Sequence, residues 1–167
     1  GDQAPHNAVH GGVEAARASK GRFEGVLVGD RDIVKQKLEK HYHIQNLPIS
    51  IEHAADFVLM DEQPSLALKK QDSSIAVSVR LHASRQVDAV VSAGNTGAVM
   101  ASALFGLKRV RHIRRPAIGS LLPTQTGSQV LLLDAGANVD SRPEDLVQFG
   151  IMGSVYVSRL FGVGTPR

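Results

Sequence analysis

Short, continuous apolar runs alternate along this chain with stretches whose apolar residues recur at helical spacing, and this alternation constrains the fold more than any other feature. Gly25–Gly29 (GVLVG), Ile49-Ser50-Ile51, Ala89-Val90-Val91, Ala117–Leu122 and Gln129–Leu133 read as strands, the last two joined by a turn over Pro123–Gly127. Between them, Pro5 opens a helix that carries Val9, Gly12, Val13 and Ala16 on one face. Asp30 caps a helix running to about Lys40, and a polar loop around Asp61, Glu62, Gln63 and Pro64 precedes a helix from about Ser74 to Arg85. Met100, Ala103, Leu104 and Leu107 mark the next helix, and Ser141-Arg142-Pro143-Glu144 reads as a capping box at the start of the last one. The strands are apolar throughout rather than alternating, as in sheets covered on both faces, so the expected fold class is α/β: a mostly parallel sheet flanked by helices. Residues 1–167 read as a single α/β domain, with chemistry expected in the loops that follow the strands.

The last helix is apolar on nearly every side (Leu146, Val147, Phe149, Ile151, Val155, Tyr156, Leu160, Phe161), so it is expected either to be buried all round or to face a subunit contact. Gly150 and Gly153 would let another backbone approach it. Composition narrows the function classes. With 43% apolar and 21% charged residues, the 167-residue chain is neither disordered nor rich in membrane-length apolar runs. Cysteine is absent, which removes a thiol nucleophile, a thiolate metal site and a disulfide framework, and is compatible with a cytoplasmic location. A formal charge of +3 favours anionic partners, but 4% aromatic residues and no Trp argue against a base-stacking nucleic-acid surface. The chain opens on Gly1-Asp2 without Met and stops in a loop, Gly164–Arg167, and is expected to be part of a larger chain.

Three constellations bear chemistry. In Asp88–Met100 (DAVVSAGNTGAVM), an apolar run leads into a turn holding Ser92, Gly94, Asn95, Thr96 and Gly97 before a helix begins. The first N–H groups of a helix are unpaired donors at the positive end of its dipole, so the turn suits an anion. Asn95 and Thr96 serve equally well as ordinary caps, and a turn without ligand remains open at this point. It is neither a Walker loop nor a complete Gly-x-Gly-x-x-Gly dinucleotide turn. In Leu131–Asp140 (LLLDAGANVD), a strand delivers Asp134, Asn138 and Asp140 to a sheet edge, where they order a site or simply satisfy loop amides. In Lys108–Arg115 (KRVRHIRR), a basic cluster with Arg109, Arg111 and Arg114 either docks an acidic partner or is the solvated end of a helix, and Arg115 before Pro116 could point into a site. His6 and His10 lie one helical turn apart but lack the neighbours of a zinc motif, and no metal is expected. No Gly-x-Ser-x-Gly elbow is present.

Taken together, GDQAP at the start, DAVVSAGNTGAVM, RPAI from Arg115, LLLDAGANVD and PEDLVQFGIMGSVY resemble the PlsX family of bacterial acyl-carrier-protein:phosphate acyltransferases, in register from end to end of the chain. The same two loops are more distantly similar to phosphate acetyltransferases, and the wider fold resembles the isocitrate and isopropylmalate dehydrogenases. The resemblance implies transfer of a fatty acyl group from acyl carrier protein to inorganic phosphate, the acyl phosphate then feeding a membrane glycerol-3-phosphate acyltransferase. It also implies a homodimer, cytoplasmic and peripherally associated with the membrane, with no cofactor. On that basis Ser92, Gly94, Asn95, Thr96 and Gly97 are expected to hold phosphate, Asp134 and Asn138 to order the catalytic site, and Arg109, Arg111 and Arg114 to dock the carrier protein. Two other readings stand beside it: a coenzyme A-dependent acetyltransferase or hydroxy-acid dehydrogenase of the same fold, and a non-catalytic module docking an acidic partner. The incomplete dinucleotide turn weighs against the dehydrogenase.

Overall fold

The computed structural model describes residues 3–166, so Gly1 and Asp2 of the GDQAP motif lie outside the described residues. The chain is mixed α/β and divides into two compact units, Gly1–Lys108 and Arg109–Arg167.

In the first unit, α1 (His6–Ser19) follows Pro5 and buries Val9, Val13 and Ala16, the face that the apolar spacing predicts. Next come β1 (Gly25–Gly29), α2 (Arg31–Leu38) and β2 (Ile49–His53). Asp30 caps α2, its carboxylate accepting from the N–H groups of Asp32 (3.1 Å) and Ile33 (3.0 Å). The strands β1 and β2 pair in parallel, Gly25 opposite Ile49 and Gly29 opposite His53. Val9, Val13 and Val34 form a core against them with Leu27, Leu38, Ile49 and Ile51. Gly12 permits the close fit of α1, since a Cβ there would come within 2.8 Å of Leu27 Cδ2.

A short helix not foreseen in the sequence, α3 (Pro64–Ala67), leads to α4 (Ser74–Ala83) and then α5 (Thr96–Leu107). Ser73 is fully buried and caps α4 through Ala76 N–H (3.3 Å). A second core of Ala67, Ile75 and Ala98, with Val58 and Val99, joins these three helices.

Ala89-Val90-Val91, expected as the third strand, is not one: no described residue pairs with it, and Val91 is 98% exposed. Its β-branched composition suits a covered strand, but a strand exists only where a neighbour completes the ladder.

In the second unit, β3 (Gly119–Pro123) and β4 (Gln129–Leu133) form an antiparallel hairpin, Gly119 opposite Leu133. The last helix, α6 (Pro143–Phe161), lies against it, with Gly153 facing the side chains of Leu131 and Leu133. Its cap differs from the expected one by a residue. Pro143 occupies the first helical position, which makes Arg142 the cap and Asp145, not Glu144, the reciprocal partner, accepting from Arg142 N–H at 3.0 Å. Only Phe149 among the apolar residues of α6 is fully buried. Leu146, Val147, Ile151, Val155 and Leu160 are exposed, and Gly150 faces open space.

Candidate functional site

The turn from Ser92 to Gly97 sits where α5 begins, above the core formed by Ala67, Ile75 and Ala98. Ser92 Oγ accepts from Gly94 N–H at 3.2 Å, closing a side-chain turn, and Ser92 is exposed. Asn95 is the cap of α5 and is 7% exposed. Its Oδ1 accepts from Ala98 N–H at 3.0 Å. Its Nδ2 donates to three carbonyls of one preceding loop: Leu59 (3.2 Å), Met60 (3.1 Å) and Glu62 (2.9 Å). The side chain is thus committed at both ends to holding the turn. Thr96 and Gly97, the first two residues of the helix, keep N–H groups without a partner among the described residues, and Thr96 is exposed. What the turn offers an anion is therefore backbone N–H at a helix N-terminus, flanked by the hydroxyls of Ser92 and Thr96.

The glycines are there for space. A Cβ on Gly97 would lie 2.5 Å from Pro64 Cγ, and one on Gly94 would lie 3.3 Å from Ser92 Oγ. The loop 57–63 is braced in turn by Lys70, whose Nζ donates to Phe57 O (2.8 Å) and Glu62 Oε1 (2.9 Å). That bond, together with the N–H of Leu59, holds the Glu62 carboxyl below its ordinary pKa, and the same pairing raises that of Lys70. This brace went unseen in the sequence. The Asp61–Pro64 cluster marks a loop, but nothing local says that a residue some 33 positions later closes it.

In the second unit, Asp134 is the hub of the loop after β4. Its Oδ1 accepts from the N–H of Ile118 (2.8 Å) and Ala137 (3.1 Å), and its Oδ2 from Asn138 N–H (2.7 Å) and Nδ2 (3.0 Å). Burial alone would raise its pKa, but the four donors outweigh it and hold the carboxyl below its ordinary value. Asn138 Nδ2 also donates to Pro116 O at 2.9 Å, and Arg115 donates to Asp140 O at 2.7 Å. The loops 115–118 and 134–140 are thereby one hydrogen-bonded piece. With all four donors in place, the lone pairs of the Asp134 carboxylate are engaged in holding the loop together.

The basic segment folds back on itself. Arg109 donates to Arg114 O, and Gln148 of α6 clamps the segment by accepting from Arg114 N–H (2.9 Å) and donating to His112 O (3.1 Å). The Arg114 guanidinium lies 3.5 Å from Asp145 Oδ1 and 3.8 Å from Glu144. Asp145 is fully buried; Oδ2 accepts from Arg142 N–H and lies 3.9 Å from Arg115, while Oδ1 has no hydrogen bond and only the Arg114 charge beside it. Arg111 is exposed and has no ion pair or hydrogen bond among the described residues. The histidines of α1 stack instead of converging: His6 on His10 at 6.4 Å and His10 on His41 at 5.5 Å between ring centroids. Among the described residues no group of three metal-ligating side chains gathers at one point. None of the described helices is long and apolar enough to cross a membrane.

A family model described as fatty acid synthesis protein matches residues 1–167. The chain is 46% identical over its whole length to the phosphate acyltransferase of Dictyoglomus turgidum, covering 49% of that protein. It is 47% identical to the phosphate acyltransferase of Geobacter sulfurreducens and 48% to that of Geotalea uraniireducens, covering 47% of each. The chain thus spans about half the length of the curated relatives it matches.

Proposed function

We infer the function from one premise: the chain belongs to the fatty acid synthesis protein family, PlsX. It contributes to an enzyme that moves a fatty acyl group from acyl carrier protein to inorganic phosphate. A phosphate oxygen attacks the thioester carbonyl, the carbon–sulfur bond breaks, and the carrier leaves as its thiol while the acyl phosphate departs. The observation that supports this reading best is the division of labour in the 92–97 turn. Asn95 is spent on structure and Gly94 N–H on Ser92, which leaves Thr96 and Gly97 N–H, with the hydroxyls of Ser92 and Thr96, to bind a small anion across the space that Gly94 keeps open. Holding phosphate there removes part of its water and fixes its direction of attack. Within the second unit, Asp134 and Asn138 order the loop that follows β4.

Docking of the acidic carrier protein falls to the basic segment. Arg111 is the open charge of the three arginines, whereas Arg109 and Arg114 hold the segment's shape. The exposed face of α6 fits a homodimer contact. Peripheral membrane association and delivery to a membrane glycerol-3-phosphate acyltransferase follow from the same reading. The deciding assay supplies the full-length protein with long-chain acyl carrier protein and radiolabelled inorganic phosphate, and follows the freed carrier thiol together with label in acyl phosphate. Thiol release that requires phosphate and enzyme, matched by label in acyl phosphate, is expected; thiol release without phosphate, or no labelled acyl phosphate, refutes the assignment.

A further inference from the structure

The loop before α3 combines two properties that rarely coincide: its backbone is locked, yet it shows its apolar side chains to solvent. Phe57, Leu59 and Met60 are 62%, 50% and 47% exposed, while Val58 between them packs into the core with Ala67, Ile75 and Ala98. Asn95 Nδ2 ties the carbonyls of Leu59, Met60 and Glu62, Lys70 ties that of Phe57, and Glu62 Oε1 holds the N–H of Leu59 at 3.1 Å. An exposed apolar loop without such bonds would gain by collapsing inward; this one is prevented from doing so.

We propose that the Phe57–Met60 loop, latched by Asn95, is the wall that receives the hydrocarbon chain of the acyl substrate. The inference rests on the acyltransfer reading and adds the element of this unit that reads chain length. Leu59 and Met60 carbonyls accept from the side chain of the residue that caps α5, at 3.2 and 3.1 Å, so the loop's backbone is fastened directly to the anion turn. A substrate whose reacting carbonyl must meet phosphate at that turn has its aliphatic arm within reach of the loop, and the charges that flank the loop, Glu62 and Lys70, are paired with each other. Because the loop is already fixed, binding orders the chain alone and not the protein. Asn95 is then a positioning residue: it acts on the substrate through the loop.

The test uses the full-length protein and two carrier-protein thioesters, hexadecanoyl and hexanoyl. Binding is measured by titration without phosphate, so that no turnover is needed. Wild type is expected to prefer the hexadecanoyl form, and Leu59→Ser combined with Met60→Ser to cut that preference about tenfold, the scale of roughly two methylene groups of lost burial. The KM for hexadecanoyl substrate should rise in parallel, with the KM for phosphate unchanged. An unaltered chain-length preference in a folded double variant overturns the proposal, as does an equal loss with both substrates. Asn95→Ala supplies the second arm: amide exchange over 57–62 should quicken and the chain-length preference fall, whereas unchanged exchange refutes the latch. Wild type that makes no acyl phosphate yet shows the preference, and loses it in the variant, refutes the reaction and supports the wall.

Discussion

At the scale of single residues, this protein uses polar side chains to fasten its loops. Asp134 is the clearest case, since four donors from Ile118, Ala137 and Asn138 converge on it. Replacing it by Ala strands several half-buried N–H groups, and a loss of about 2–4 kcal/mol is expected in urea unfolding. The pH dependence has a definite sign. The folded pKa of Asp134 is depressed, so its stabilisation is fully present above the unfolded value of about 3.9 and is lost as pH falls through the folded pKa. Wild type and Asp134→Asn should therefore differ in stability near neutrality and converge on acidification, which acid titrations of both would show. Asn95 belongs to the same class. Its replacement by Asp keeps an acceptor for Ala98 N–H but turns a carboxylate toward three carbonyls.

Among elements, the junction of α3 and α5 is the tightest point near the turn. Gly97→Ala would drive a methyl into the Pro64 ring, where only 2.5 Å is available. A loss of about 1–3 kcal/mol in thermal unfolding is expected, together with weaker phosphate binding as the turn shifts. The sequence made most elements legible, because helices and strands announce themselves through local periodicity and caps such as Asp30. It was silent about α3, whose four residues carry no period. It overstated Ala89–Val91, because β-branched residues report a preference for a covered strand and not the presence of a neighbour. It misplaced the cap of α6 by one residue because Ser141 looks like a cap, while Pro143 decides the position. The two loops were visible as motifs. Their wiring was not, since Asn95 to Leu59 and Gln148 to His112 each span 36 residues.

For the whole molecule, the boundary between the two units falls in the basic segment, at Lys108 and Arg109. Both residues and Arg111 are exposed, so brief trypsin treatment should cut there first and release fragments near residues 1–108 and 112–167 by mass spectrometry. Arg111→Ala should weaken carrier-protein binding at low ionic strength and flatten its salt dependence, whereas Arg114→Ala should act mainly on stability by uncovering the buried Asp145 charge. The hairpin has a bearing on shelf life. Residues 117–133 contain no charged side chain, and Leu121, Leu122, Val130 and Leu132 stand exposed on strands whose outer edges have no pairing partner among the described residues. Such an edge is a template for addition of like strands, and charged gatekeepers are the usual protection. Stored concentrated, the chain should slowly develop thioflavin-positive fibrils, and a single Val130→Lys should lengthen the lag.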